Sequence, residues 1–283
     1  MKLHFTKMHG LGNDFIVINA VDTAVHLSQT QLQFIADRHL GIGCDQILFV
    51  ENYAGKEADF RYRIFNADGG EVEQCGNGAR CFARFVVDQG LTTKTEIPVM
   101  TASGKIILIV QDNGEVTVNM GIAITQPKNI PFLAEQERTE YTLLLKPSDS
   151  SQLPLSVNFG AVSVGNPHAV LTVDNIATAP LSTLGAYLEQ HSIFPNRVNV
   201  SFMQVLNPQH IRLRVFERGV GETQACGTGA CAAVIVGILQ NKLTNEVKVD
   251  LPGGQLTVQW ASKDAPVIMT GAAKSVFTGC IEL

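Results

Sequence analysis

The sequence lacks several features that would assign a chain of 283 residues to a particular class of protein. Lysine and arginine number 21 against 26 acidic residues, so the basic surface typical of nucleic-acid binding is missing. No apolar run approaches the length of a membrane-spanning helix, and the first residues contain no long apolar segment of the kind found in secretory signals. We therefore expect a cytoplasmic protein that acts on a small molecule, with no nucleic-acid or membrane partner.

Signatures of common cofactors are missing as well. The sequence contains no Walker or dinucleotide-binding fingerprint and no recognisable pyridoxal-phosphate signature, so we expect no cofactor. Six cysteines in a chain of this length do not suggest a disulfide scaffold, and their spacing does not match a zinc site. We expect thiols and no metal, which leaves the question of which thiols react.

What the sequence does contain is a repeated stretch of twenty residues. Residues 61–80 and 212–231 are identical at nine of twenty positions, at a constant offset of 151. Each copy contains Cys-Gly-x-Gly-Ala, starting at Cys75 or Cys226, and a mostly apolar run follows. A cysteine present in both copies, each followed by glycines, points to a shared chemical role.

Two further loops repeat outside that stretch. Asn13 matches Asn166, each after a glycine, and Gln46 matches Asn199, both at an offset of 153. Three separate matching loops indicate that a whole domain is duplicated.

The hydrophobic patterns predict an α+β fold of two pseudo-symmetric domains. Each domain is expected to be a curved, mixed or antiparallel sheet wrapped around a central buried helix that begins at the repeated cysteine. We expect domain bounds of 1–120, with 272–283 returning to it, and 121–271, and an active site in the cleft between the domains. A further helix is predicted over residues 27–41, with Ser28 as its N-cap, Leu40 in its buried stripe and Gly41 after its end.

The position of the two cysteines suggests acid–base chemistry. At a helix N-terminus the dipole and the unpaired N–H groups stabilise a thiolate, so we expect the pKa to fall from about 8.5 into a range of roughly 3.5–7.5. The flanking glycines leave N–H groups available to a carboxylate. Two such thiols related by an internal two-fold suit inversion of a stereocentre, in which a base removes a proton from one face and an acid protonates the other.

These residues resemble the diaminopimelate epimerase family. The resemblance rests on His9-Gly-Leu-Gly-Asn-Asp-Phe15, on Asn66-Ala-Asp-Gly-Gly and the cysteine motif that follows it, on Gly165-Asn-Pro-His168, and on Glu217-Arg-Gly with the second cysteine motif. It spans nearly the whole chain in order. It implies a cofactor-independent homodimer that interconverts LL- and meso-diaminopimelate, in the route to lysine and peptidoglycan.

The resemblance also implies roles for individual residues. Cys75 and Cys226 would be the acid–base pair, and His168 and Glu217 would tune the pKa values of the two thiols. The residues that would hold the substrate are Asn13, Gln46, Asn66, Gly76, Asn77, Asn166, Asn199, Glu217, Arg218, Gly227 and Thr228. Independently of the family, an arginine suits a carboxylate through two parallel hydrogen bonds, and a glutamate suits an ammonium group.

The sequence departs from the family pattern at a few positions. Gly70 and Thr228 stand where the family often has serine, and Cys44 stands where an aromatic residue is common. Phe277 stands where some members have a tyrosine that matters for dimerisation.

Other functions remain open from the residues alone. A racemase of another amino acid, such as proline or hydroxyproline, would use the two cysteines but would have no use for Glu217 and Arg218. A thiol redox sensor on the same fold would form a reversible disulfide between Cys75 and Cys226. We expect Cys81 and Cys231 to be core residues, and we expect His168 to lie in a loop.

Overall fold

The computed structural model describes residues 1–72, 75–145 and 153–283. The chain forms two compact units, Met1–Asn119 with Thr270–Leu283, and Met120–Met269. The predicted bounds, 1–120 with 272–283 and 121–271, differ from these by one or two residues. Glu73 and Gln74, which belong to the first cysteine motif, lie outside the described residues.

Strands predominate over helices in the residues that the structure describes. Residues 1–122 form β1 (Lys2–Gly10), β2 (Asn13–Ala20), α1 (Gln29–Ala36), β3 (Gln46–Asn52), β4 (Phe60–Asn66), β5 (Glu71–Val72), α2 (Gly76–Asp88), β6 (Glu96–Thr101), β7 (Gly104–Val110) and β8 (Val116–Ile122). Residues 123–226 form β9 (Tyr141–Leu144), β10 (Ser156–Ser163), β11 (Pro167–Thr172), α3 (Ala186–Glu189), β12 (Asn199–Asn207), β13 (His210–Glu217) and β14 (Gly221–Thr223). The remainder forms α4 (Gly227–Leu239), β15 (Glu246–Leu251), β16 (Gly254–Gln259), β17 (Pro266–Gly271) and β18 (Lys274–Glu282). The described residues also form two 3-10 turns (Pro127–Asn129, Ile176–Thr178) and a π-helical turn (Leu181–Gly185).

Both units follow one plan of strand pairing. In the first, β1–β2 and β3–β4 are antiparallel, while β2–β3 and β4–β6 are parallel. In the second, β10–β11 and β12–β13 are antiparallel, while β11–β12 and β13–β15 are parallel. Even the register repeats, since Phe15 lies opposite Gln46 and His168 lies opposite Asn199, both at the offset of 153. The predicted α+β class and the duplication are confirmed.

A central helix lies against the sheet in each unit. α2 packs against β1, β2, β3, β7 and β18, and α4 packs against β10 to β13 and β16. Ten of the thirteen residues of α4 are buried, as expected for a helix that is apolar on every side. Cys81 and Cys231 are fully buried in these helices, which confirms their predicted place in the core.

The predicted helix over residues 27–41 is partly wrong. Ser28 caps α1 as predicted, in a capping box with Gln31. The helix nevertheless ends at Ala36, because the Asp37 carboxylate accepts hydrogen bonds from the next two free amides, those of residues 39 and 40. Leu40 is therefore 77% exposed and does not belong to the buried stripe.

The patterns also missed the strands β6 and β9. β6 contains Pro98, which lowers the strand signal of a short segment although its carbonyl still accepts a hydrogen bond from the Asp59 N–H.

In the described part of the chain, no helix has the length and apolar character needed to cross a membrane.

Candidate active site

Cys75 occupies the position just before the first turn of α2. Its backbone is extended (φ −142°, ψ 123°), and its side chain is partly exposed. The first amides of a helix have no acceptor within the helix, so those that follow Cys75 are suited to bind an anion. The motif's second glycine serves packing, since a Cβ on Gly78 would lie 2.6 Å from the Tyr62 hydroxyl oxygen. The glycine pattern thus lets the helix start lie close to β4.

Two predicted asparagines converge on Cys75. Asn13 follows a turn whose residues Leu11 and Gly12 both have positive φ (58° and 91°). Its Oδ1 accepts from the Cys75 sulfur at 3.8 Å and from Asn77 Nδ2 at 3.1 Å. The sequence therefore named three residues of the first half that the structure brings into contact.

Charged residues outside the predicted set fix the orientation of both amides. Asp45 accepts from Asn13 Nδ2 at 2.9 Å, and Arg38 Nη2 donates to Asp45 at 2.7 Å. On the other side, the fully buried Arg80 donates from Nη2 to Asn77 Oδ1 at 3.0 Å. Both asparagines are thereby turned so that Asn13 presents its oxygen to Cys75.

The same cluster contains a strongly acidic carboxyl, Asp14. Burial alone would raise the pKa of Asp14, but hydrogen bonds from Arg38 and Lys7 hold that pKa well below its ordinary value. The negative charge of Asp14 is thus retained at neutral pH and helps to hold Arg38 in place.

Gln46 and Asn66 form a separate pair in the first unit. They lie opposite each other on β3 and β4, and Gln46 Nε2 donates to Asn66 Oδ1 at 2.9 Å. The Asn66 amide nitrogen and the Gln46 side-chain oxygen take no part in this hydrogen bond, and each could bind a ligand.

Cys226 has the same position in the second unit, before the first turn of α4. Its backbone is again extended (φ −121°, ψ 105°), but its side chain is buried, with 4% exposure. The Thr228 hydroxyl lies 3.6 Å from its sulfur. The strands β13 and β14 near Cys226 form an antiparallel hairpin. Within it, Thr223 of β14 donates a hydrogen bond to the Glu217 carboxylate of β13 and fixes that side chain.

The expected low pKa is wrong for Cys226. Burial raises the pKa of Cys226 well above its ordinary value, and the negative charge of Glu217 raises it further. Hydrogen bonds from Thr228 and from the Gly229 amide oppose this rise without overcoming it. Removal from water therefore outweighs the helix N-terminus, and Cys226 is a thiol at neutral pH.

His168 differs from its prediction as a loop residue. It lies in β11, is fully buried, and its Nε2 lies 3.0 Å from Asn166 Oδ1. Burial, with a smaller effect from the positive charge of Arg218, lowers the pKa of His168 to about 3. The imidazole is therefore neutral at physiological pH, while its predicted effect on the thiols stays a prediction.

Asn199 supports the turn that carries Arg218. This buried side chain donates to the Pro167 carbonyl at 3.1 Å and accepts from the backbone N–H of Arg218 at 2.9 Å. One donor and one acceptor position of its amide therefore hold the turn in place.

Sequence reasoning missed Asp45, Arg80 and Thr223. A charge inside the apolar run of α2 was the available signal for Arg80, because the copy has Cys231 at that position. Asp45 directly precedes Gln46 in a repeated loop, while Thr223 carries no distinctive signal.

The remaining cysteines of the first unit differ from Cys75. Burial raises the pKa of both Cys44 and Cys81 to about 12, while Cys280 is exposed on β18. Over residues 1–72, 75–145 and 153–283, no group of three His, Cys, Asp or Glu side chains is arranged to hold a metal ion.

Sequence comparison places this chain in a known family. A family model described as diaminopimelate epimerase matches residues 5–125 and 160–276. The chain is 56% identical over 283 residues to a diaminopimelate epimerase from Nitrosospira multiformis, covering 100% of this chain and 99% of that relative. It is 57% identical over 285 residues to a diaminopimelate epimerase from Thioalkalivibrio sulfidiphilus, covering 100% of each.

Solved structures with the same fold have far lower identity. A PhzF-family phenazine biosynthesis protein from Bacillus anthracis matches with a TM-score of 0.70 and 17% identity, covering 100% of each chain. A hydroxyproline epimerase from Agrobacterium vitis, solved with bound trans-4-hydroxy-L-proline, matches with a TM-score of 0.67 and 14% identity, covering 99% of this chain and 92% of that one. At these identities the likeness shows the shared two-domain fold.

Proposed function

This chain belongs to the diaminopimelate epimerase family, and we propose that Cys75 and Cys226 are the two groups with which it interconverts LL- and meso-diaminopimelate. It is an isomerase of lysine biosynthesis. The observation that carries the assignment of the two thiols is their identical placement at the start of α2 and α4 in a duplicated fold.

The proposed reaction transfers one proton at each thiol. One cysteine, as thiolate, takes the α-proton, and the electron pair of the broken C–H bond remains on the α-carbon and its carboxylate. The other cysteine gives its S–H proton to the opposite face, so the two thiols have exchanged protonation states when the product leaves. The proposal requires both sulfurs to reach one α-carbon from opposite faces.

Backbone amides would stabilise the developing negative charge. Those of Gly76, Asn77, Gly227 and Thr228 belong to the first turns of α2 and α4, where N–H groups and the helix dipole favour a carboxylate. The raised pKa of Cys226 supports its role as the acid when the first substrate arrives.

The far end of the substrate would be recognised mainly by charge. Arg218 would pair with the distal carboxylate and Glu217 with the distal ammonium group. The neutral residues Asn13, Gln46, Asn66, Asn166 and Asn199 would complete the hydrogen bonding. Glu217 thus has two proposed roles, since its charge also raises the pKa of Cys226.

We further propose that the enzyme is a cytoplasmic homodimer. Val276 and Phe277 on β18 are 58% and 50% exposed, and covering such apolar side chains would favour association. Phe277→Asp should shift the molar mass measured by light scattering from dimer to monomer. A monomeric wild-type protein would contradict the proposal.

Purified enzyme should convert LL-diaminopimelate to the meso isomer. Cys75→Ala and Cys226→Ala should each lower kcat by about a thousandfold or more, because each removes one partner of the proton transfer. Cys280→Ala, which removes an exposed thiol of β18, is the matched control and should keep wild-type turnover.

Retained epimerisation in either catalytic variant would contradict the assignment of the two thiols. Racemisation of proline or hydroxyproline that survives Arg218→Ala would favour the other amino-acid racemases. A reversible disulfide without exchange at any α-carbon would favour a redox sensor.

A further inference from the structure

Glu189, at the end of α3, is a charged side chain that is almost completely buried. Its side chain is 2% exposed, and its Oε1 accepts from the Gly219 N–H at 3.0 Å and lies 3.3 Å from Arg197 Nη1. Buried carboxylates are rare in proteins unless their charge is used and paired. The position of Glu189 therefore calls for a specific role.

Glu189 supports the turn that presents Arg218. Gly219 lies in that turn with a left-handed backbone (φ 74°). Its N–H is bound by Glu189, and the preceding N–H, that of Arg218, is bound by Asn199 at 2.9 Å. Two successive backbone N–H groups of the turn thus donate hydrogen bonds to buried side chains, those of Asn199 and Glu189.

Glu189 also supports the segment against which the Arg218 guanidinium rests. Arg218 Nη1 donates to the Asn196 carbonyl at 2.9 Å. The two residues after Asn196 are both tied to Glu189, Arg197 through its guanidinium and Val198 through an N–H that donates to the Glu189 carbonyl at 3.2 Å. Glu189 therefore supports both the turn that contains Arg218 and the segment that accepts a hydrogen bond from the Arg218 guanidinium.

The first unit anchors the equivalent turn in a different way. There the Asp68 carbonyl accepts from Gln29 Nε2 at 3.0 Å and from Gln33 Nε2 at 2.9 Å. At the offset of 153, the residue of the first copy that corresponds to Glu189 is Ala36, which has no carboxylate. The turn that follows Asn66 is thus held by neutral glutamine side chains, whereas the turn that follows Glu217 is held by a carboxylate.

We propose that Glu189 is a positioning residue that fixes the Arg218 turn for binding the distal, charged end of the substrate, an inference that rests on the proposed function. The residue does not touch substrate. It acts by keeping Arg218 in one conformation, so that little conformational entropy is lost when the distal carboxylate binds.

The fold should tolerate loss of this carboxylate. Arg197 is 48% exposed and Gly219 is exposed, so water can solvate both groups once Glu189 is removed. The expected consequence is a mobile turn in a folded protein, which separates a positioning role from a purely structural one.

The test compares Glu189→Ala, Glu189→Gln and Glu137→Ala in the full-length enzyme with LL-diaminopimelate. Glu189→Ala should raise KM about tenfold, as expected for loss of a charged hydrogen bond, with kcat changed less than about twofold. Glu189→Gln keeps an acceptor for Gly219 and should recover most of the loss. Glu137, a carboxylate of the same unit bonded to Lys263 and Thr125, is the matched control and should leave KM unchanged.

Amide hydrogen exchange gives a readout that does not depend on the substrate. Exchange at Gly219 should be faster in Glu189→Ala than in wild type or Glu137→Ala. An unchanged KM in an active Glu189→Ala enzyme, unchanged exchange at Gly219, or a loss of kcat that follows a fall in Tm without rescue by glutamine would overturn the proposal. A wild-type enzyme without diaminopimelate activity would instead overturn the proposed function, and the exchange comparison would still decide whether Glu189 holds the turn.

Discussion

Cys75 and Cys226 directly precede equivalent helices in two copies of one fold, yet their surroundings differ in exposure and in the charged side chains nearby. Cys75 is partly exposed, and the buried guanidinium of Arg80 lies in the same helix start, 3.5 Å from the Gly76 carbonyl. Cys226 is 4% exposed and lies beside the Glu217 carboxylate, while the copy of Arg80 is the apolar Cys231. The duplicated fold therefore places both cysteines at the same point of the backbone, just before a helix. The side chains around them differ between the two copies, and this difference makes the two thiols chemically different.

The same contrast extends to the turns that precede the helices. Asn66-Ala67 in the first copy corresponds to Glu217-Arg218 in the second. The neutral turn is anchored by two glutamines and the charged turn by Glu189. The charged pair that we propose for recognition of the substrate thus belongs to the second unit, and the first copy has neutral residues in its place.

The largest expected effect concerns alkylation of the two thiols. In a Cys280→Ala background at neutral pH, iodoacetamide should modify Cys75 roughly a hundredfold faster than Cys226, because Cys226 is buried and its pKa is raised. Peptide mass spectrometry at successive times measures both rates. Equal rates would remove the proposed difference between the halves.

A smaller effect should follow from removing the charge beside Cys226. Glu217→Gln should lower the pKa of Cys226, since the neighbouring negative charge disfavours the thiolate. The pH dependence of Cys226 alkylation measures this shift. Glu222→Gln, on the same hairpin but paired with Arg214, is the control and should leave the profile in place.

The buried imidazole of His168 should make the second unit sensitive to acid. Its pKa is about 3 in the folded protein, against an ordinary value of 6.5. Between these values the unfolded chain binds the proton and the folded chain does not, so the free energy of unfolding should fall as pH falls from about 6.5 to 3. Urea unfolding of His168→Gln should show a shallower pH dependence in this window than the exposed control His4→Gln, and parallel curves would contradict the assignment.

The smallest effects should come from a feature that the two units share. Arg63 pairs with Glu71, and Arg214 pairs with Glu222, each through two hydrogen bonds of 2.6–2.9 Å at the offset of 151. Because both pairs have the same partial exposure, replacing either arginine with lysine should lower the free energy of unfolding by less than about 1 kcal/mol, and by similar amounts. A large difference between the two variants in chemical denaturation would show that the hairpins are not equivalent.

Much of the fold follows from local sequence. The repeated glycines and apolar runs predict two buried helices that start at Cys75 and Cys226, because these signals act over a few neighbouring residues. The pKa of Cys226 is a different kind of property. It depends on how completely Cys226 is removed from water and on where the Glu217 carboxylate lies. The prediction of a low pKa from the position at a helix N-terminus took neither of these into account.

Other errors have equally local causes. The side chain of Asp37 competes for amides and ends α1 early, which leaves Leu40 exposed. His168 follows a proline, a common sign of a loop, but parallel pairing with β12 places it in a buried strand. Arg80 resembles a surface charge in the sequence, but it can be buried because Asn77 Oδ1 and the Ala272 carbonyl accept hydrogen bonds from its guanidinium.

The central claim, that two thiols act on opposite faces of one carbon, is tested most directly by solvent exchange in D2O. LL-diaminopimelate should be incubated with the enzyme and both isomers recovered while conversion is still low. Two groups predict deuterium at the α-carbon of the meso product, since the donor proton comes from solvent, and none in the recovered LL substrate. Deuterium entering the recovered substrate as fast as the product would indicate a single base and would contradict the paired roles of Cys75 and Cys226.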